Sequence, residues 1–254
     1  METEFSKLNI SGRDSNYKNC SYCNKPFTEE LWCKECDPYR KIEGWTSENP
    51  DIDKFIKDTI YYKIKDDHKF LEWVTYERLT DIKEIGEGGF AKVYSATWID
   101  GISTYSEQSD GSWKKSKVES MNVALKRLNG SQNMSDNYLN ELKIHWNISK
   151  NGGLRFYGLT KDPETKEFMM IIKFADKGNL RSILLNNFND FMWKNKIRLL
   201  WVISYDLNSL HNSGYLHKDF HSGNVLKTNT GEYISDFGLS GPANEQKSDD
   251  KVYG

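Results

Sequence analysis

Four short motifs in one order constrain this chain more than any bulk property. Gly86-Glu87-Gly88-Gly89-Phe90-Ala91 breaks the apolar texture of LTDIKEIGEGGFAKVYSATWID, and Val123-Ala124-Leu125-Lys126 follows. His217-Lys218-Asp219-Phe220-His221-Ser222-Gly223-Asn224 comes next, and Asp236-Phe237-Gly238 begins 12 residues past Asn224. Each piece alone is ordinary: a G-x-G is most often a hairpin turn, a strand lysine is usually solvated, and Asp-Phe-Gly recurs by chance. Together they describe one site. A glycine loop between two strands lets backbone N–H groups approach phosphate oxygens. Its strand–turn–strand setting excludes a dinucleotide fold, which needs strand–turn–helix. A strand lysine followed by Glu141 on the next helix can be held as an oriented phosphate-binding charge.

The remaining texture is α+β. Ile52, Phe55, Ile56, Ile60 and Ile64 recur at helical spacing among Asp and Lys after Asn49-Pro50, predicting an amphipathic helix. Residues 79–98 read as two strands and MNVALKRL as another. Residues 137–149 read as a helix, LRFYGLT and EFMMIIKF as strands around Asp162-Pro163, and 196–212 as a long helix before Gly214. The polar segment 100–121, with its Asp-Gly pairs, is expected to be an exposed insertion.

From about residue 79 to 254 the chain resembles a eukaryotic protein kinase domain, specifically the tyrosine-kinase-like group and the large fungal expansions of it. The resemblance implies a bilobal fold, with a β-rich N-lobe and a partial α-helical C-lobe. It implies that Ile85, Gly86, Gly88 and Gly89 cover the ATP phosphates, with Ala91 at the third glycine position. Val93 and Ala124 would roof the adenine pocket and Leu226 would floor it. Ile172 would be the gatekeeper, and Lys173, Phe174 and Ala175 the hinge. Lys126 would contact the α- and β-phosphates, paired with Glu141; Asp219 would accept the substrate hydroxyl's proton; Asn224 and Asp236 would hold Mg²⁺. The implied function is ATP-dependent transfer of the γ-phosphate to a protein hydroxyl, with Ser/Thr expected, though the catalytic loop does not settle the hydroxyl. An ATP-binding scaffold without transfer is the alternative.

Three departures stand out. Lys218 replaces the arginine usual before the catalytic Asp and cannot form a bidentate phosphate pair. Lys173 stands where the family carries an acidic residue. His221 stands where Ser/Thr kinases place a lysine; it is read as a surface loop residue, since Asp219 already fills the base role. The sequence ends at Gly254, 16 residues past Gly238, with no Ala-Pro-Glu. An incomplete C-lobe is therefore expected, leaving Ile197, Leu200, Trp201, Leu207 and Leu210 partly exposed.

Cys20-x₂-Cys23-x₉-Cys33-x₂-Cys36 holds all four cysteines. Two C-x-x-C turns can complete a tetrahedron around a structural Zn²⁺. Unpaired thiols are the alternative, and disulfides a third. The expected order is a disordered N-terminus (1–19), a zinc-ribbon-like knuckle (20–36), a linker with the amphipathic helix (37–78) and a C-terminally incomplete kinase domain (79–254). The knuckle is a candidate protein-interaction module. With 35 basic and 37 acidic residues well mixed, net charge −2, nucleic acid and membrane surfaces are not expected partners. No run of 18 apolar residues occurs, and METEFSKLNI has no secretory pattern, so a reducing cytoplasmic or nuclear setting is expected. The protein substrate is not readable.

Overall fold

The computed structural model describes residues 24, 46–63, 70–88, 91–107, 109, 113–117, 119–187 and 192–243. The four cysteines, and Gly89 of the glycine loop, lie outside the described residues, so the knuckle is neither seen nor excluded. The chain divides into two compact units: Met1–Trp45 with Ser103–Ser116, and Thr46–Ile102 with Lys117–Gly254.

In chain order the elements are α1 (Pro50–Lys63), β1 (Glu72–Trp73), β2 (Leu79–Glu87), β3 (Ala91–Trp98), β4 (Ser103–Glu107), β5 (Trp113–Lys117), β6 (Met121–Leu128), α2 (Asp136–Lys150), β7 (Phe156–Lys161), β8 (Phe168–Lys173), α3 (Leu180–Asn187), α4 (Trp193–Asn212), β9 (Tyr215–Leu216), β10 (Val225–Thr228), β11 (Gly231–Ile234) and β12 (Gly241–Pro242). Six of them form one sheet in the order β1-β7-β8-β6-β3-β2. One face carries the core of Leu79, Trp98, Val123, Leu125, Tyr157 and Ile171. Alternation along β6 sends Ala124 and Lys126 to the other face, toward the site.

The helix expected after Pro50 is present and its beginning is strongly capped. Asn49 Oδ1 accepts from the N–H groups of Asp51 and Ile52 at 3.0 and 3.1 Å. Asp53, in the first turn, accepts from the Ser47 N–H at 2.7 Å and hydroxyl at 2.5 Å. Pro50 opens the helix where no N–H is needed. Ile52, Phe55 and Ile56 are buried, as is Thr59, whose hydroxyl oxygen accepts from Leu71 N–H at 3.0 Å. Glu48 pairs with Lys161 of β7 at 2.7 Å. The segment expected as a linker thus starts the compact unit at Thr46, well before Leu79.

β1 was not expected. It joins β7 in parallel, with Glu72 opposite Gly158. A Cβ at position 158 would stand 2.0 Å from the Glu72 carbonyl oxygen, so only glycine admits this strand. The segment expected as an exposed insertion carries the paired strands β4 and β5.

A second core joins α2 to the catalytic half: Ile144, Ile148, Leu210, Ile234 and Phe237. Leu210 is therefore fully buried, correcting the expectation that it is partly exposed; Leu207 packs beside it and stays partly exposed, as expected. Helical geometry explains the burial of Leu210, which lies on the stripe facing β11 and α2. Ile197, Leu200 and Trp201 are exposed as expected, and Trp201 stacks on Tyr205.

Candidate active site

Strand register assembles one wall of a cavity of about 300 Å³. Val93 of β3 lies opposite Lys126 of β6, and Ala124 lies opposite Ile172 of β8. Ile85, Gly86, Val93, Ala124, Lys126 and Ile172 all line the space, and Lys173, Phe174 and Ala175 border it where β8 ends. Asn224, Leu226 and Asp236 close it from the other side. Residues scattered over 152 positions are thereby brought together around one cavity. Gly88 does not line the cavity; its N–H donates to Ala91 O at 2.9 Å within the turn.

Lys126 is the electrostatic centre. Its Nζ lies 2.6 Å from Glu141 Oε1 and 2.8 Å from Asp236 Oδ1. Glu141 is carried by α2, whose start is capped by the Ser135 hydroxyl. Burial pulls the Lys126 ammonium down, but the two carboxylates outweigh burial and raise its pKa, so it stays charged. Burial likewise pushes the Asp236 carboxyl up, and Lys126 outweighs that and holds it below the usual carboxylate range. An ammonium this enclosed is fixed in place, as phosphate recognition requires.

The catalytic-loop residues sit on a tight frame. Asn224 Nδ2 donates to Asp219 O at 3.0 Å and to Asp219 Oδ2 at 3.3 Å. Ser235 donates to Asn224 O through its N–H at 2.8 Å and its hydroxyl at 3.1 Å, tying Asn224 to the strand before Asp236. Asp206 of α4 accepts from Ile234 N–H at 3.0 Å, and burial raises its pKa. Lys218 and Asp236, each beside or within the site, have φ of 60° and 65°. Left-handed conformations at non-glycine residues cost energy and persist where surroundings enforce them.

A column of rings runs behind the cavity. His145 packs edge-on against Phe156 at 6.0 Å and Phe237 at 4.8 Å. Phe237 meets His217 at 5.4 Å, and His217 meets Phe220 at 5.8 Å. His217 Nε2 lies 3.1 Å from Ser235 O, and burial lowers its pKa. His145 has neither ring nitrogen hydrogen-bonded. Burial first, and then the Lys126 charge, push its pKa down to about 3, so it is neutral. Sequence reasoning missed His145, although it lies four residues past Glu141 and therefore on the same helix face. It also missed Gly178, Asn179 and Ser235, which line the cavity from loops with no local signal.

The ammonium of Lys173, the departure at the hinge, engages the β10–β11 hairpin. Its Nζ donates to the Thr230 hydroxyl and lies 5.8 Å from the Tyr233 ring centroid. Asp176 Oδ1 accepts from Asn229 N–H at 3.0 Å, and backbone bonds join Lys177 and Gly178 to Lys227. The hinge is thus stapled to the β10–β11 hairpin.

The donor set suits Mg²⁺ with few protein ligands. The Asn224 Nδ2 donates toward Asp219, which leaves its Oδ1 as acceptor, and Asp236 adds a charged oxygen. Among the described residues, no group of three or more His, Cys, Asp or Glu is placed to hold a metal.

A family model described as protein tyrosine and serine/threonine kinase matches residues 79–253. The chain is 31% identical over 169 residues to the probable serine/threonine-protein kinase CST of Arabidopsis thaliana, covering 64% of this chain and 38% of that protein. It is 27% identical over 165 residues to the receptor-like cytosolic serine/threonine-protein kinase RBK1 of Arabidopsis thaliana, covering 61% and 30%. It is 24% identical over 163 residues to the human tyrosine-protein kinase TXK, covering 64% and 27%. The chain spans less than two fifths of the length of each of these relatives.

Proposed function

Because the chain belongs to the protein tyrosine and serine/threonine kinase family, we propose that it is an ATP-dependent protein kinase of the tyrosine-kinase-like group, acting on Ser/Thr hydroxyls. The observation that carries this reading is the buried Lys126 held by Glu141 and Asp236, together with an Asp219 oriented by Asn224. The serine/threonine designations of relatives such as CST and RBK1 support the hydroxyl class.

The division of labour follows from the geometry. The wall of Val93, Ala124, Ile172 and Leu226 accepts an apolar, flat base, and the hinge backbone beyond Ile172 supplies its hydrogen bonds. Lys126 binds phosphate oxygens as a fixed cation. Asn224 and Asp236 hold Mg²⁺, which neutralises charge on the phosphates when bound. Asp219 accepts the proton of the attacking hydroxyl, its other oxygen being tethered by Asn224.

The test is Mg·ATP binding and phosphotransfer to a protein or peptide by the 254-residue chain. Both are expected, and Lys126→Met is expected to lose them. Binding without transfer would favour the scaffold reading, and absence of binding would overturn the nucleotide reading altogether. The paired C-x-x-C turns support a structural Zn²⁺ at Cys20, Cys23, Cys33 and Cys36, with the knuckle as a protein-docking module. The balanced charge supports protein partners over nucleic acid or membrane, and the proposed setting is cytoplasmic, where reduced thiolates stay available to a metal.

A further inference from the structure

We propose that Arg181 selects the protein substrate: its guanidinium binds an acidic side chain, carboxylate or phosphate, carried about three residues from the accepting hydroxyl. The proposal rests on the kinase reading above and names a substrate class for that site.

Arg181 is the second residue of α3 and is exposed. Among the described residues its side chain makes no hydrogen bond and no ion pair. The carboxylate nearest in sequence is already engaged. Asp176 Oδ1 accepts the Asn229 N–H at 3.0 Å, and Oδ2 lies 3.7 Å from Lys177 Nζ. Local stability does not explain the residue either. The first turn of α3 holds no acidic residue, and a cation there meets the positive end of the helix dipole. The cap is made by Asn179, whose Oδ1 accepts the Ser182 N–H at 2.9 Å. A side chain that breaks a local rule with no local compensation is the mark of a functional position.

Its place in the fold is at the catalytic loop. A Cβ at Gly223 would stand 3.8 Å from Arg181 Cζ, and Gly223 lines the nucleotide cavity. The same Cβ would stand 2.8 Å from the His221 ring, so a side chain there is crowded and the loop offers the guanidinium no carboxylate at this point. The His221 ring in turn lies 3.9 Å from Asp219 Oδ1. This run of contacts puts the guanidinium within roughly 12 Å of Asp219, the span of three to four extended residues. The Asp219 side chain is two-fifths exposed, so a peptide hydroxyl can reach it while a neighbouring side chain reaches Arg181. The planar fork of the guanidinium matches a carboxylate or a phosphate with two parallel hydrogen bonds, and the helix dipole adds field of the same sign. A basic substrate residue at that position meets a like charge, so the site also selects by repulsion.

The test uses peptides with one acceptor serine. A single Asp, phosphoserine, Ala or Arg is moved through the four positions on either side, and kcat/KM is compared for the unmodified chain, Arg181→Gln and Arg181→Glu. The expected result is one position where an acidic residue exceeds alanine about tenfold, through the peptide KM rather than kcat. Phosphoserine preferred over Asp there identifies a substrate already phosphorylated, and equal preference an acidic one; either supports the assignment. Arg181→Gln is expected to abolish the preference and Arg181→Glu to turn it toward arginine. KM for ATP and the unfolding midpoint should not change, because the side chain holds no partner that the fold needs. No acidic preference in the unmodified chain, or one that survives Arg181→Glu, overturns the assignment. Anisotropy of the fluorescein-labelled Asp and Ala peptides, with the acceptor serine replaced by alanine, makes the same comparison without transfer. A chain that transfers no phosphate therefore still tests Arg181, and the missing transfer counts against the kinase reading alone.

Discussion

At the scale of the residue, Lys126 links stability to chemistry. Removing it leaves Glu141 buried beside no cation, and breaking a buried pair from one side costs about 3 kcal/mol or more. Lys126→Met is therefore expected to destabilise the chain by roughly that amount in urea unfolding. Lys126→Met/Glu141→Met should recover a good part of the loss without restoring Mg·ATP binding. A double variant no more stable than the single one would contradict the pairing. His145 makes a pH prediction with a definite sign. Its folded pKa, about 3, lies below the ordinary value of 6.5, so the unfolded chain takes up its proton first. Its contribution is complete above pH 6.5 and is lost as pH falls toward 3, with a slope of up to about 1.4 kcal/mol per pH unit. His145→Leu should accordingly lose less stability between pH 7 and pH 5 than the unmodified chain. Parallel stability curves for the two would refute this.

At the scale of the element, α1 and β1 are part of the catalytic unit. Ile56 is fully buried, so Ile56→Ala should cost about 2–4 kcal/mol in thermal or denaturant unfolding. Gly158→Val should expel β1, because any Cβ meets the Glu72 carbonyl. Amide exchange is expected to quicken at Val74, whose N–H donates to Leu159 O at 2.9 Å. Unchanged protection there would rule the strand out as a fixed element. The helix was legible because its apolar spacing is local. β1 was not: two residues carry no period, and what admits them is a missing side chain 86 positions away. The β4–β5 pair did have a sequence signal, the Asp110-Gly111 dipeptide between Tyr- and Trp-containing runs, but the polarity of the segment read as solvated loop.

At the scale of the whole molecule, the ring column from Phe156 through His145 and Phe237 to Phe220 and the hinge staple at Lys173 tie the sheet to the helical part. The cysteines fall in the other compact unit from the nucleotide cavity. Elemental analysis is expected to find one Zn²⁺ per chain, and Cys20→Ser to release it while Mg·ATP affinity stays unchanged. Protein prepared without chelator and carrying no zinc would end that reading.

The glycine loop, Lys126, Glu141, Asp219, Asn224 and Asp236 were legible from the sequence alone. Chemistry at a phosphate needs particular residue types at particular points of the backbone, and those types leave a readable order along the chain. Tertiary structure decided what no local pattern carries. It placed His145 unpaired behind the cavity, turned Lys173 from the hinge onto Tyr233, and buried Leu210 against Phe237. Each of these depends on which distant side chain arrives opposite, and that is set by strand register and helix packing rather than by neighbours in sequence.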